Sequence, residues 1–162
     1  IRPSTVCGYA SRQRLDVIVN ILTNHAVNRG RIRVFGGSQK RPNIHIQDMA
    51  DLYLFLLDQD DTKIDGKIFN AGYENHTLME LAEIVRKVVG DDLPIDVEPT
   101  DDLRSYHVSS EKMRTELGFE PTHSIEDAVR GMVQAFADGK LPNSMDDPTY
   151  FNINLMKDVA LK

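Results

Sequence analysis

Arg41-Pro42-Asn43-Ile44-His45-Ile46-Gln47-Asp48-Met49-Ala50 switches its hydrophobic period within one short stretch. Ile44 and Ile46 flank His45 with the two-residue period of a half-buried strand. Asp48 then stands where a helix N-cap is favoured, with Asp51 three residues on, and the apolar run that follows carries a helix to Leu57. A strand that feeds directly into a helix is the unit from which α/β chains are built.

The same alternation extends on both sides. Ile1 to Val6 reads as a short strand ended by Gly8. Leu15, Ile18, Leu22 and Ala26 recur at helical spacing, with Arg14 and Leu15 at the helix start and Gly30 as its stop. Ile32 to Phe35 reads as a strand, broken by Gly36-Gly37, and Lys67 to Ala71 reads as another, closed by Gly72. Thr77 and Glu80 form a capping box ahead of Leu78, Leu81, Ala82, Val85, Val88 and Val89, which share one helical face. Ile95 and Val97 mark a brief strand. Ser109 or Ser110 opens a short helix that stops at Gly118. Ser124 caps a further helix whose inward face is Ile125, Ala128, Val129, Met132, Val133 and Phe136. The tail from Leu141 is rich in Pro, Asn and Asp and shows little pattern. Strands alternate with helices, so the class is α/β or α+β.

The 162 residues, 41% of them hydrophobic, suffice for one ordinary domain with a buried core. No apolar run is long enough to span a membrane, and no signal peptide opens the sequence. Ile1 begins the chain within an apolar, β-leaning stretch, which suggests a piece of a longer protein. Cys7 stands alone, so neither an intrachain disulfide nor a cysteine zinc site is expected, and a reducing, cytoplasmic setting fits. The net charge of −6 disfavours general affinity for nucleic acid. Charge is unevenly spread: Arg2, Arg12, Arg14, Arg29, Arg31, Arg33, Lys40 and Arg41 face only Asp16 in the first quarter of the chain. A local cationic region on an acidic protein suits a small anionic ligand, although a solvated basic surface gives the same pattern.

Two constellations are absent from these residues. A dinucleotide site needs glycines at fixed offsets between a strand and a helix, and neither G-x-G-x-x-G nor G-x-x-G-x-x-G occurs. A Tyr-x-x-x-Lys pair, in which the lysine lowers the tyrosine pKa for proton exchange, is likewise missing: none of Tyr9, Tyr53, Tyr73, Tyr106 and Tyr150 has Lys four residues later. The histidines are scattered, no metal site is expected, and no catalytic residue is assigned. His45, between apolar neighbours, reads as a structural histidine, and Asp48 as a helix cap. The acid pairs at 60–61, 91–92, 101–102 and 146–147 read as solvated loops.

Five segments in order resemble the extended short-chain dehydrogenase/reductase family, which contains the NAD-dependent nucleotide-sugar epimerases and dehydratases. Arg2-Pro3-Ser4-Thr5-Val6-Cys7-Gly8 is similar to its R-P-x-x-V-x-G segment, and Arg33-Val34-Phe35-Gly36-Gly37 to its I-x-V-x-G strand. Arg41 to Ala50 resembles R-x-x-I/V-H-V-x-D-x-A. Gly66-Lys67-Ile68-Phe69-Asn70-Ala71-Gly72 resembles G-x-x-Y/F-N-x-G. Arg104 to Phe119 resembles R-x-Y-x-x-D-x-x-K-x-x-x-x-L-G-W/F, with Ser109 or Ser110 near the usual Asp.

The resemblance implies the C-terminal part of such a protein: the last Rossmann strands and helix, to which residues 1–8 and 47–72 contribute, plus a small mixed α/β substrate-binding lobe. It further implies that Arg41 and Arg104 hold a nucleotide diphosphate, that Thr5, Arg14 and Leu15 touch the substrate, and that Pro3 and Val6 lie beside the nicotinamide of NAD or NADP. A planar guanidinium grips phosphate oxygens bidentately, which suits the arginines to that task. The cofactor would be held mainly by an N-terminal half carrying the glycine loop and the Tyr-Lys pair. These 162 residues would then be inactive alone, within a parent that is a homodimeric epimerase or dehydratase. The alternative is a non-catalytic nucleotide-sugar-binding or regulatory module. Without the cofactor half, Leu52, Leu54, Phe55 and Leu56 are expected to be exposed, and the isolated chain to be unstable or to associate.

Overall fold

The computed structural model describes residues 1–159. Among these, no helix is long and apolar enough to cross a membrane. The chain forms strands β1 (Arg2–Pro3) and β2 (Thr5–Cys7), helix α1 (Ile18–Arg29), strands β3 (Ile32–Phe35) and β4 (Lys40–His45), and helices α2 (Ile46–Leu57) and α3 (Asp61–Ile64). Strands β5 (Asn70–Ala71) and β6 (Glu74–Thr77), helix α4 (Leu78–Val89), strand β7 (Ile95–Glu98), and helices α5 (Glu111–Leu117), α6 (Ile125–Ala137) and α7 (Asn152–Asp158) follow, with a 3-10 turn at Pro148–Tyr150.

Strand β4 is the hub. It runs parallel to β2, with Thr5 opposite Asn43 and Val6 opposite Ile44, and antiparallel to β6, with Lys40 opposite Thr77 and Asn43 opposite Glu74. Two parallel pairs flank this sheet, β1 with β5 and β3 with β7. The mixed α/β class expected from the alternation is therefore the one observed. Gly36 and Gly37 let the chain turn out of β3: both have positive φ, and a Cβ on Gly36 would meet the Gln39 side chain at 2.3 Å.

Helices α1, α4 and α6 enclose the larger core with Ile32 and Val34 of β3. Val19, Leu22, Leu81, Val85, Ile125 and Val129 are essentially buried there. Each such aliphatic side chain contributes roughly 1.5–3 kcal/mol through its burial. The expected capping box of Thr77 with Glu80 starts α4, and Ser124, expected as a cap, starts α6 in a second box with Asp127. A smaller core gathers Ile44, Met49, Leu52, Phe69, Ala71 and Met113, with Phe55, Leu56 and Phe119 packed against it.

Several local expectations are corrected. Ile46 starts α2 instead of extending the strand, and the N-cap is His45, whose Nδ1 accepts from the Gln47 amide at 3.0 Å. Asp48 is freed from capping and is buried against the loop before α6. The ladder in the Lys67 to Ala71 stretch is confined to Asn70 and Ala71, while β6, unforeseen, closes the antiparallel side of β4. Helix α1 begins at Ile18, not at Arg14, because side chains take over the backbone of the preceding turn. The Arg14 carbonyl accepts from Asn20 Nδ2 at 2.8 Å and Gln13 Nε2 at 3.2 Å, which satisfies it without a helical bond. The tail folds after all: Leu141 and Ser144 are buried, and α7 follows. Leu52 is fully buried rather than exposed, and Phe55 and Leu56 are half-buried. The exposed apolar residues of α2 are Tyr53, Leu54 and Leu57.

Candidate functional site

A cleft of about 540 Å³ opens where β1 and β2 meet the start of β4 and the irregular segment before α1. Its walls include Pro3, Thr5 and Val6 from the strands, Arg14 and Val17 from that segment, Pro42 from β4, and Tyr106. Four of the sequence-implied residues, Pro3, Thr5, Val6 and Arg14, thus come together in one place. The cleft wall is apolar apart from the hydroxyls of Ser4, Thr5 and Tyr106 and the guanidinium of Arg14. Arg14 is exposed, and its Nε lies 2.9 Å from Asp16 Oδ1. Ser4 Oγ is buried without a hydrogen-bond partner, as is Asn43 Oδ1 behind it on β4. An unsatisfied buried polar atom costs about 1–3 kcal/mol.

Arg41 and Arg104 lie behind Tyr106 and do not line the cleft. The Arg41 guanidinium is centred 5.4 Å from the Tyr106 ring, and its side chain is only 15% exposed. It donates to the carbonyls of Lys40 and Arg104 and stands 3.4 Å from Asp102 Oδ2. Arg104 is 81% exposed and grips Asp102 bidentately, Nε to Oδ1 and Nη2 to Oδ2, both at 2.8 Å. These hydrogen bonds, first of all those from Arg104, hold the Asp102 carboxyl far below its ordinary range. The two arginines therefore share one carboxylate.

Leu15 does not join the site. Its side chain is wholly buried, and its backbone N–H donates to the Tyr150 carbonyl at 2.9 Å, so its role is packing. Asp102 and Tyr106, by contrast, were not singled out from the sequence. Asp102 looks like half of a solvated acid pair, and its only signal was a position two residues before Arg104. Tyr106 carried no signal beyond its place in a family-like segment.

A second charged cluster sits under α2. Asp48, 2% exposed, accepts from the amides of Thr122 and His123, each at 3.0 Å, and from His123 Nδ1 at 2.8 Å. Burial alone would raise its pKa, but the hydrogen bonds from His123 and the two amides outweigh burial and lower it. His123 is raised by its bond to Asp48, and its ring stacks on His45 at 4.7 Å. His45 is lowered, chiefly by burial and then by the neighbouring His123 charge. Cys7 is buried and donates weakly to the Ile44 carbonyl. Its thiol is pushed up to about 12, mainly by burial, which makes it a poor nucleophile. Among the described residues, no group of three or more His, Cys, Asp or Glu side chains is placed to hold a metal ion.

These residues do not fit a whole dinucleotide. The cleft offers Pro3 and Val6 as apolar walls, but no glycine turn leads from a strand into a helix N-terminus beside it. No hydride-transfer step is assigned to this chain's residues. What the geometry can do is bind: an apolar cleft with one exposed guanidinium, held at Nε by Asp16 and next to a paired arginine cluster, suits an anionic ligand with a flat or sugar-like body.

The model of the NAD dependent epimerase/dehydratase family matches residues 1–72. A UDP-glucose 4-epimerase from Corynebacterium glutamicum is 29% identical over 129 residues, covering 70% of this chain and 38% of that protein. The crystal structure of UDP-glucose 4-epimerase with UDP-glucose from Thermotoga maritima superposes with a TM-score of 0.70 at 25% identity, covering 85% of this chain and 45% of that one. The UDP-glucuronic acid 4-epimerase of Bacillus cereus, in complex with UDP-glucuronic acid and NAD, shares the fold with a TM-score of 0.71 at 21% identity. Over residues 1–72 the chain matches the NAD dependent epimerase/dehydratase family, and over most of its length it is similar to epimerases of the extended short-chain dehydrogenase/reductase kind. It spans about two fifths of the length of the curated relatives it matches.

Proposed function

We propose that this chain is the nucleotide-sugar-holding portion of an NAD(P)-dependent epimerase or dehydratase. The observation that carries the reading is the cleft that brings Thr5 and Arg14 together with Pro3 and Val6, beside the Arg41 and Arg104 cluster. In this reading Arg14, Arg41 and Arg104 hold the diphosphate, Thr5 meets a sugar hydroxyl, and Pro3 and Val6 border the nicotinamide. Binding in one orientation supplies the proximity that the chemistry of the parent enzyme needs. NAD or NADP and the Tyr-Lys pair belong to an N-terminal half, so the 162 residues alone are catalytically inactive. The helix and strand segments 1–8 and 47–72 complete that half's sheet. A homodimeric parent acting in the cytoplasm belongs to the same proposal.

Diphosphate binding requires the arginines to exchange Asp102 for the ligand. The relatives named for UDP-sugars make UDP the first probe. Calorimetric titration is expected to show UDP binding more tightly than uridine. Arg41→Ala should weaken UDP by about 2 kcal/mol, roughly thirtyfold, the cost of a lost charged hydrogen bond. Equal affinity for UDP and uridine removes the diphosphate from the site, and an unchanged value in the variant removes Arg41 from it.

A further inference from the structure

Arg14 projects from the irregular segment between β2 and α1, and that segment is fastened from two sides. On its inner side the Arg14 carbonyl is held by Gln13 and Asn20, and Asn20 Oδ1 accepts from the Gly8 amide at 3.0 Å. On its outer side the fastening comes from the other end of the chain. Asp16 splits its carboxylate: Oδ1 meets Arg14 Nε at 2.9 Å, and Oδ2 accepts from the backbone N–H of Asn152, 136 positions away, at 3.0 Å. Leu15 N–H donates to the Tyr150 carbonyl, and Arg12 Nη2 donates to Asn152 Oδ1 at 2.9 Å. The C-terminal segment is itself anchored at Ser144, whose carbonyl and hydroxyl pair with the buried Asn24 of α1 at 3.0 and 2.8 Å.

We infer that Asp16 is a positioning residue that aims Arg14 into the cleft, and that the segment ending at Asn152 is the strap that holds Asp16 in place. The inference rests on the diphosphate reading above. An arginine free to rotate loses rotamer freedom when it grips an anion, and one already held at Nε, with Nη1 and Nη2 left over, loses less. Charge alone gives the opposite expectation: a carboxylate beside Arg14 weakens the local positive potential, so removing it would favour an anion. The sign of the effect therefore separates positioning from screening.

The test uses UDP and uridine as probes with Asp16→Ala and Asn152→Pro. Asn152 is the first residue of α7, where proline lacks only a donor that the helix does not use, and Phe151 lies in the extended region, φ −122 and ψ 97, close to the backbone favoured before proline. Both variants should weaken UDP about tenfold while leaving uridine unchanged, since only the phosphate grip depends on preorganisation. In an Arg14→Gln background, Asp16→Ala should add nothing. Tighter or unchanged UDP binding in both variants overturns the inference, as does a full Asp16→Ala effect without Arg14. An Arg14→Gln variant that binds UDP normally while Arg41→Ala weakens it would also overturn the inference and leave the wider reading standing. Thermal melts run alongside identify a variant that has lost its fold, and the other variant then decides.

Discussion

Asp48 shows how one buried carboxylate can tie two segments together. It takes two backbone amides and an imidazole from residues 122–123, and so fixes the approach to α6 against α2. The sign of its pH dependence follows from its partners. His123 has a raised pKa, so its stabilisation is complete below its ordinary value of 6.5 and is lost as pH rises through the raised value. Asp48 has a lowered pKa, so its share is complete above 3.8 and is lost as pH falls through the lowered value. His45, whose pKa is lowered by burial, opposes this pattern by losing stability below 6.5. Comparing wild type with His123→Gln leaves the larger, burial-driven part of the His45 effect common to both and removes only the smaller part that comes from the His123 charge. The stability difference between them should grow as pH falls from 8 towards 6.5, level off, and shrink again below 3.8. Denaturant midpoints across that range check it, and a difference independent of pH would remove the Asp48–His123 pair from the account. Arg41 and Arg104 illustrate the complementary point that guanidinium groups without a ligand take an internal carboxylate, Asp102.

At the scale of elements, the helices with reciprocal caps were the most legible. Thr77 and Glu80 are three residues apart ahead of a strong apolar period, and in the structure Thr77 Oγ1 accepts from the Glu80 amide at 3.1 Å while Glu80 Oε2 accepts from the Thr77 amide at 2.7 Å. Thr77→Ala should cost about 1 kcal/mol of stability, with Thr77→Ser recovering much of it. Urea unfolding at constant m-value measures this, and an unchanged midpoint would show that tertiary packing alone holds the start of α4. Strand ends were less legible. Strand β6 has the sequence Glu74-Asn75-His76-Thr77, with no apolar alternation, because it forms by pairing with β4 and by side-chain bonds in which Asn75 Nδ2 donates to the Val108 carbonyl and Glu74 Oε1 accepts from the Ile125 amide. The early start expected for α1 failed for a related reason. The periodicity of Leu15 and Ile18 is real, since both pack inward, but Asn20 and Gln13 hold the backbone between them out of the helix.

Across the whole molecule, the two cores leave one apolar stripe uncovered. Tyr53, Leu54 and Leu57 on α2 are 52%, 64% and 81% exposed, at helical spacing and on one face. Of the residues expected to be exposed on α2, Leu54 is, while Leu52, Phe55 and Leu56 pack into or against the core with Phe69 and Phe119, and Tyr53 and Leu57 take their place on the exposed face. The chain is expected to associate through this stripe as its concentration rises. Leu54→Lys with Leu57→Lys should return it to a monomer in sedimentation velocity. A wild-type chain that stays monomeric at high concentration would show that the stripe is tolerated in water.

The sequence by itself determined the α/β class, the family resemblance and the main helices, and it singled out Pro3, Thr5, Val6 and Arg14, which line one cleft. Those readings rest on short-range physics, namely hydrophobic period, capping pairs and motif order, which is written locally along the chain. Tertiary structure alone decided that Leu15 is core, that Asp48 is a tether and not a cap, that Asp102 takes both Arg41 and Arg104, and that the C-terminal tail fastens the Arg14 segment. Each of these depends on a partner distant in sequence or on which way a side chain turns. A hydrogen-bonding group can be satisfied by many partners, and only the packed chain selects one.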